Sequence, residues 1–517
     1  MIDLIIVISY FAVIMLLALS GRSKKDLSAE EYFLSSRNLR WPSIALSTIA
    51  TNINGYQFLG MMGSAYLYGL AQASLEINAV QGILIAAFIF VPMYLREKII
   101  TVTQFIKSRL GEKVGLAYVI SNIALFATIT LGSALFWGAY AADLVFSDYL
   151  AVIHEDRMVR ISILVIGLGV FSAIYTYIGG LGAVVKTDIL QFSILLIGGI
   201  VITFVIVSEL GGWSELYTKT PQLMHLHLPA DHKQLPWIHM FGLFLLNINY
   251  WCANQTIMQR SIAAKSLREA QVGLMVGGLM KYVMAVIIVI PGIALYGILQ
   301  EQGNLLSEPD LAFPFIVKEY LPIGVKGLIL CALFASLMST VDSTFNSLAT
   351  LWSIDIYKEY INKDATESQL INAGRKTILI TLFTGITMGL ILLYIKFENP
   401  SEAFTHTLNA LRYYVNCGVV VLICAAGFLL APNKKVALFA FLSTVPLHII
   451  FIKFVPEMNY FVRAGMVIII AFLIIYLFSM KAGWKSWRTL VVADNQSVKW
   501  VGIGLAVSLV ILHIIFH

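Results

Sequence analysis

Three hydroxyls, on Ser336, Ser339 and Thr340, follow one another at the i, i+3, i+4 spacing that puts them on one face of a helix. The stretch around them is apolar, so these oxygens lie away from bulk water. A small hard cation such as sodium takes such oxygens as ligands, with carbonyls freed by a broken helix and with carboxylates. Isolated hydroxyls would instead bond back to their own helix backbone. Helix-weakening residues, Asn-Ile-Asn-Gly, stand at 52–55 inside the apolar stretch 43–78, which also carries Gln57 and Glu76. A second Asn-rich interruption, NINYWCANQ, occupies 247–255. Backbone in hydrocarbon must be bonded internally, so a broken helix is tolerated only where it is buried or lines a cavity. A glycine kink whose amides glue neighbouring helices would give a similar pattern.

The charges among these apolar stretches are few. Glu76 and Lys281 are opposite in sign and sit in separate segments. They suit mutual neutralisation in a solute site, or a structural bridge between spans. Asp342 lies one turn beyond Ser339, where a carboxylate is costly unless paired or bound to a cation. Asp188 stands next to Lys186, which leaves a plain surface ion pair open to it. Arg412 sits within LNALRYYVN. A guanidinium there either binds a carboxylate or snorkels from a helix end.

The elements that must position these groups are membrane spans. Of 517 residues, 59% are hydrophobic and 12% charged, and mean hydropathy is +0.83. Soluble domains carry about twice that charged fraction. The net charge of +6 is dispersed over short loops and is no signature of nucleic-acid binding. The first span follows Met1-Ile-Asp-Leu without a basic leader, which predicts a retained helix. Cys252, Cys331, Cys417 and Cys424 lie in apolar segments without metal-ligand spacing and read as small buried residues. At about 20 apolar residues per span, fourteen spans are expected. They are 2–20, 42–70, 74–95, 114–146, 159–178, 184–208, 237–259, 271–299, 323–353, 374–395, 404–430, 433–453, 460–480 and 498–516. With both termini outside, most of the 35 Lys and Arg residues fall in inner loops, among them Arg22, Lys24, Lys25, Arg260 and Lys481. Residues 100–112 suit a short amphipathic helix on the inner surface.

Spans two and seven are thus both interrupted, five spans apart. Corresponding breaks in two halves point to an inverted repeat with a midplane site. The expected division is 1–40 for the extra first helix and its loop, 41–208 and 209–431 for two five-helix repeats, and 432–517 for three added helices.

Several stretches resemble the sodium/solute symporter family, the group of the sodium–glucose cotransporters. They are IATNINGYQFLGMMGSAYLYGLAQASLE (49–76), YIGGLGAVVKTDILQ (177–191), NYWCANQTIMQRSIAAKSLREAQ (249–271), PGIALY (291–296), ALFASLMSTVDSTFNSLATL (332–351) and DIYKEY (355–360). The resemblance runs from about residue 30 to 395 and weakens beyond 400. It implies an all-α polytopic protein with the leucine-transporter-type 5+5 inverted repeat. It also implies a sodium-coupled symporter that imports a small polar organic solute, a sugar, by alternating access in the cell inner (plasma) membrane.

By the same resemblance sodium falls on the carbonyls of Ala50, Ile53 and Ser336 and the hydroxyls of Ser339 and Thr340. The resemblance also offers a second sodium site on Asp188, Asp342 and Ser343, where one family hydroxyl is replaced by the carboxylate of Asp342. The alternatives are that one aspartate holds a proton or that Lys186 neutralises Asp188. The solute site falls on Asn52, Gln57, Glu76, Asn247 and Lys281, with Tyr250 as the aromatic that closes beneath the sugar. Departures are Tyr56, the Asn78-Ala79 pair and Arg412. The last makes a carboxylate-bearing solute, a uronate or sialic acid, the alternative. Partners expected are the solute, sodium ions and membrane lipid, with no nucleic acid and no required protein partner. A proton-coupled carrier is opposed by the hydroxyl cluster, and a membrane sensor would normally append a soluble signalling domain. An enzyme ranks last, since HExxH, GxSxG and a phosphate-binding loop are all missing from the sequence.

Overall fold

The computed structural model describes residues 2–20, 28–53, 57–398, 404–479 and 483–517. Asn54, Gly55 and Tyr56 of the first break lie outside the described residues, as do Arg22, Lys24, Lys25 and Lys481. The described residues are helical throughout, with isolated bridges in place of sheets.

The chain begins with α1 (Ile2–Leu19), then α2 (Trp41–Asn52), a helix started by Pro42 at its first turn. It ends where Ile53 turns extended (φ −88°, ψ 126°). Helix resumes as α3 (Gln57–Glu97). The short α4 (Val102–Leu110) buries one apolar face, as an amphipathic helix should. Then come α5 (Glu112–Ser147) and α6 (Arg157–Leu210). α6 has 54 residues, about 80 Å of helix against a hydrocarbon core of about 30 Å. It bends at Gly180 (φ +57°), where a Cβ would lie 2.3 Å from the Tyr32 carbonyl oxygen.

The second half opens with α7 (His239–Ile248), a wide turn over Asn249–Ala253, an extended Asn254 (φ −71°, ψ 117°) and α8 (Gln255–Ile262). The Asn254 side chain caps α8, accepting from the Thr256 amide at 2.9 Å. α9 (Leu267–Glu301), α10 (Val325–Ile361), α11 (Glu367–Glu398) and α12 (Phe404–Phe428) follow. α13 (Lys434–Phe454), α14 (Tyr460–Phe478) and α15 (Gln496–Ile515) complete the chain.

Among the described residues, eleven helices are long and apolar enough to cross a membrane. The expected fourteen differ for a physical reason. The third expected span continues from the second within α3, the fifth and sixth form the single bent α6, and the broken seventh leaves two pieces too short to qualify alone.

Between Ile329 and Thr350 α10 is buried all round, so it is the axis of the molecule. It packs chiefly on α6, and both breaks face it through α2 and α8. α1 and α15 instead expose rows of large apolar side chains, the expected face toward lipid. The four cysteines are free and buried.

Candidate solute and cation site

Interrupting a helix strips carbonyls of their partners. The first interruption delivers such groups to α10, while the Cys252 and Ala253 carbonyls of the second accept from the Tyr94 and Tyr118 hydroxyls. The Thr340 hydroxyl lies 3.2 Å from the Thr51 carbonyl, 3.5 Å from that of Ile53 and 3.2 Å from that of Ser336. Ala50 is buried one turn before Ile53 on α2. Three of the five expected sodium residues, Ile53, Ser336 and Thr340, thus meet at one buried locus between α2 and α10. The Ser336 hydroxyl donates back to the Leu333 carbonyl at 2.8 Å, and its own carbonyl accepts from Thr340. Ser339 donates to Asp188 Oδ1 at 2.5 Å, which fixes its proton and leaves oxygen lone pairs for a cation.

Beside this locus is a cavity of about 260 Å³. Asn52, Gln57, Tyr250 and Arg412 of the expected solute residues line it. Asn52 donates to the Tyr250 hydroxyl at 2.9 Å, and Gln57 to the Asn52 carbonyl at 3.1 Å. Arg412 turns into the cavity and donates to Ser133 at 2.5 Å, so it does not snorkel from a helix end.

Glu76, Lys281 and Asn247 are buried behind the cavity wall and not on it. Lys281 bonds to Glu76 and to the Asn52 side chain, with its ammonium 5.9 Å from the Trp251 ring centre. Asn247 donates to the Asn78 carbonyl at 3.0 Å. Lys281 and Glu76 therefore set the orientation of Asn52, which faces the cavity. The wall also includes Asn249 and Asn254 of the second break, which the sequence marks as an interruption without assigning them to the site, and Asn122 and Asn416, which sequence reasoning missed. The last two are lone amides in apolar runs, the only signal available.

The Asp188–Asp342 expectation needs correction. Lys186 is not the partner of Asp188; it reaches the Ser20 carbonyl at an exposed site. Asp188 is paired with Arg260 at 3.2 Å, and both side chains are fully buried. Asp188 also accepts from Ser47 at 2.5 Å. Asp342 accepts from Ser172 at 2.7 Å and from Tyr175. Asp188 is thus neutralised by Arg260 and Asp342 is held by two hydroxyls, so repulsion between two bare carboxylates no longer argues for a sodium between them. Arg260, read from sequence as an inner-loop positive charge, fills that role. Its place at the loop edge of an apolar span concealed it.

A family model described as the sodium:solute symporter family matches residues 32–440. The chain belongs to that family. The match runs past 395, where the motifs fade, into α13. The sodium/glucose cotransporter of Vibrio parahaemolyticus is 31% identical over 483 residues, covering 88% of this chain and 86% of the relative. Sodium/glucose cotransporter 1 of Ovis aries is 29% identical, and sodium/myo-inositol cotransporter 2 of Homo sapiens is 27% identical. The match takes in 74% of this chain and 62% of the sheep protein, and 87% and 69% for the human one. A solved structure of a Na+-coupled sialic acid symporter, substrate-bound and outward-open, superposes with a TM-score of 0.78 at 20% identity. It covers 94% of this chain and 99% of that one, which establishes the leucine-transporter-type fold. This family member is a multi-pass membrane protein.

Proposed function

We propose that the chain is a sodium-coupled importer of a sugar that works by alternating access. The observation that carries this reading is the juxtaposition of Thr340, ringed by the carbonyls of Ile53 and Ser336, with a polar cavity walled by Asn52, Gln57 and Tyr250. Asn52 and Ile53 are neighbours on one broken helix, so a cation that draws in the Ile53 carbonyl also orders the amide that meets the solute. Coupling then needs no covalent chemistry. Amides and a phenol suit sugar hydroxyls, which both donate and accept. The names of the relatives support sodium and a sugar as cargo.

In this reading Ala50, Ile53, Ser336, Ser339 and Thr340 hold sodium, and Asn52, Gln57, Tyr250 and Arg412 face the solute. Glu76, Lys281 and Asn247 support that wall. A second sodium beside Asp188, Asp342 and Ser343 would have to share its place with Arg260. The repeats are 41–208 and 209–431, both termini lie outside, and the membrane is the plasma membrane.

Arg412 favours a second reading, a carboxylate-bearing sugar, because its guanidinium lines the cavity. One uptake assay tests both. Proteoliposomes under an inward sodium gradient are expected to accumulate labelled glucose, and Thr340→Ala is expected to weaken sodium activation roughly tenfold or more. Inhibition by glucuronate or sialic acid but not by glucose would move the reading to the acid. Uptake indifferent to sodium in the native protein would end the coupling reading.

A further inference from the structure

Arg260 lies on α8, just past the second break, and is fully buried. Its Nε donates to Ser47 Oγ at 2.9 Å, and its Nη2 to Asp188 Oδ2 at 3.2 Å and to Ser343 Oγ. Its Nη1 bonds to the Thr256 carbonyl within α8. One side chain of the broken seventh span therefore ties α8 to α2, α6 and α10 at once. A planar guanidinium with five fixed donors is suited to such a junction.

The same junction is wired to the sodium locus. Ser339, a ligand in the reading above, donates to the other oxygen of Asp188 at 2.5 Å. Thr51 Oγ1 lies 2.9 Å from Ser343 Oγ, while the Thr51 carbonyl faces Thr340. A cation on the Ser339 oxygen polarises its O–H and strengthens the bond to Asp188, which in turn holds Arg260. α8 also forms part of the cavity wall through Thr256, close to Asn254. Thr256 and Asn254 therefore make the position of α8 part of what shapes the cavity.

We infer that Arg260 is a lock joining sodium occupancy to closure of the inner end of the cavity. Bound sodium keeps the guanidinium seated on Asp188 and Ser343, and α8 is released only after sodium has left. This rests on the sodium-coupled reading and assigns the residue that performs the coupling. Arg260 acts through Asp188 and Ser339 and does not touch the solute, so it is a positioning residue. Linkage is reciprocal, so an unlocked protein must also bind sodium more weakly by the same factor.

The experiment places Asn416→Cys, a half-buried cavity residue, in the native background, where the cysteines are buried. Inverted membrane vesicles expose the inner face to a membrane-impermeant thiol reagent. Sodium is expected to slow labelling about tenfold. Arg260→Gln is expected to abolish that protection and to raise the sodium concentration giving half-maximal uptake. Should Arg260→Gln alone fail to fold, the uncharged pair Arg260→Gln with Asp188→Asn removes both buried charges, and the same loss of protection is expected. Equal sodium protection with and without Arg260 would overturn the lock and make the residue a strut. Absence of protection even with Arg260 present, together with sodium-independent uptake, would overturn the sodium reading and the lock with it.

Discussion

At the scale of single residues, the buried charges decide what the site tolerates. Glu76 and Lys281 bond to one another with both side chains nearly sealed from solvent, and Lys281 also holds Asn52. Removing one partner of a buried pair strands a charge, at about 3–5 kcal/mol, whereas replacing both together is often neutral. Lys281→Met is therefore expected to lower the melting temperature sharply, and Lys281→Met with Glu76→Leu to restore most of it. Uptake should stay low in the double variant, because Asn52 has lost the donor that orients it toward the cavity. Differential scanning fluorimetry beside the uptake assay separates these outcomes, and full uptake in the double variant would refute the positioning role. This pair was legible in the sequence, since two opposite charges in apolar spans have few other partners. Arg260 and Asp188 were not. Loop charge and span-end charge look alike until α8 is seen to pack against α2 and α10, with Arg260 reaching across to Asp188.

At the scale of elements, helix interruption does the positioning. Both breaks were legible, because Asn and Gly runs stand out in apolar sequence, and Ile53 and Asn254 are indeed extended. The close approach of other helices to the breaks was not legible. At Gly82 of α3, an added Cβ would lie 2.7 Å from the Asn247 carbonyl oxygen and 2.7 Å from the Trp251 ring. Gly82→Ala is expected to cost about 1–3 kcal/mol by overpacking and to depress uptake by pushing the second break off α3. Gly504→Ala on α15 meets nothing within 4 Å. There the gain in helix propensity, up to about 1 kcal/mol, should raise the melting temperature slightly and leave uptake alone. If both alanines behave alike, the contact at Gly82 carries no function.

At the scale of the whole molecule, the C-terminal helix is tied back to the solute half by histidines, a link beyond the reach of motif or hydropathy. His513 Nε2 lies 3.2 Å from Asn78 Oδ1. That amide's nitrogen donates to the Ser74 carbonyl, so its oxygen faces the ring. His513 Nε2 must therefore carry a proton, and in the neutral ring Nδ1 accepts from His227 Nε2 at 3.1 Å. That leaves His227 Nδ1 a bare lone pair, buried and without a partner among the described residues. Burial, and then the neighbouring His517, lower the His227 pKa from its usual 6.5. A histidine whose folded pKa is depressed stabilises the fold above its unfolded pKa, and that contribution is lost as pH falls below about 6.5. His227 lies in a loop and is partly exposed, so the effect is local and modest. Acidification from pH 7.5 to 5.5 is expected to speed hydrogen exchange in the 224–238 loop and at the end of α15. His227→Gln, which keeps a donor and cannot titrate, should flatten that dependence while leaving exchange in α10 unchanged. Because Asn78 also receives Asn247 beside the second break, loosening at this histidine pair should reach the solute wall as well. Exchange at 74–82 should rise with acid in the native protein alone, and a rise of equal size in His227→Gln would place the titrating group elsewhere.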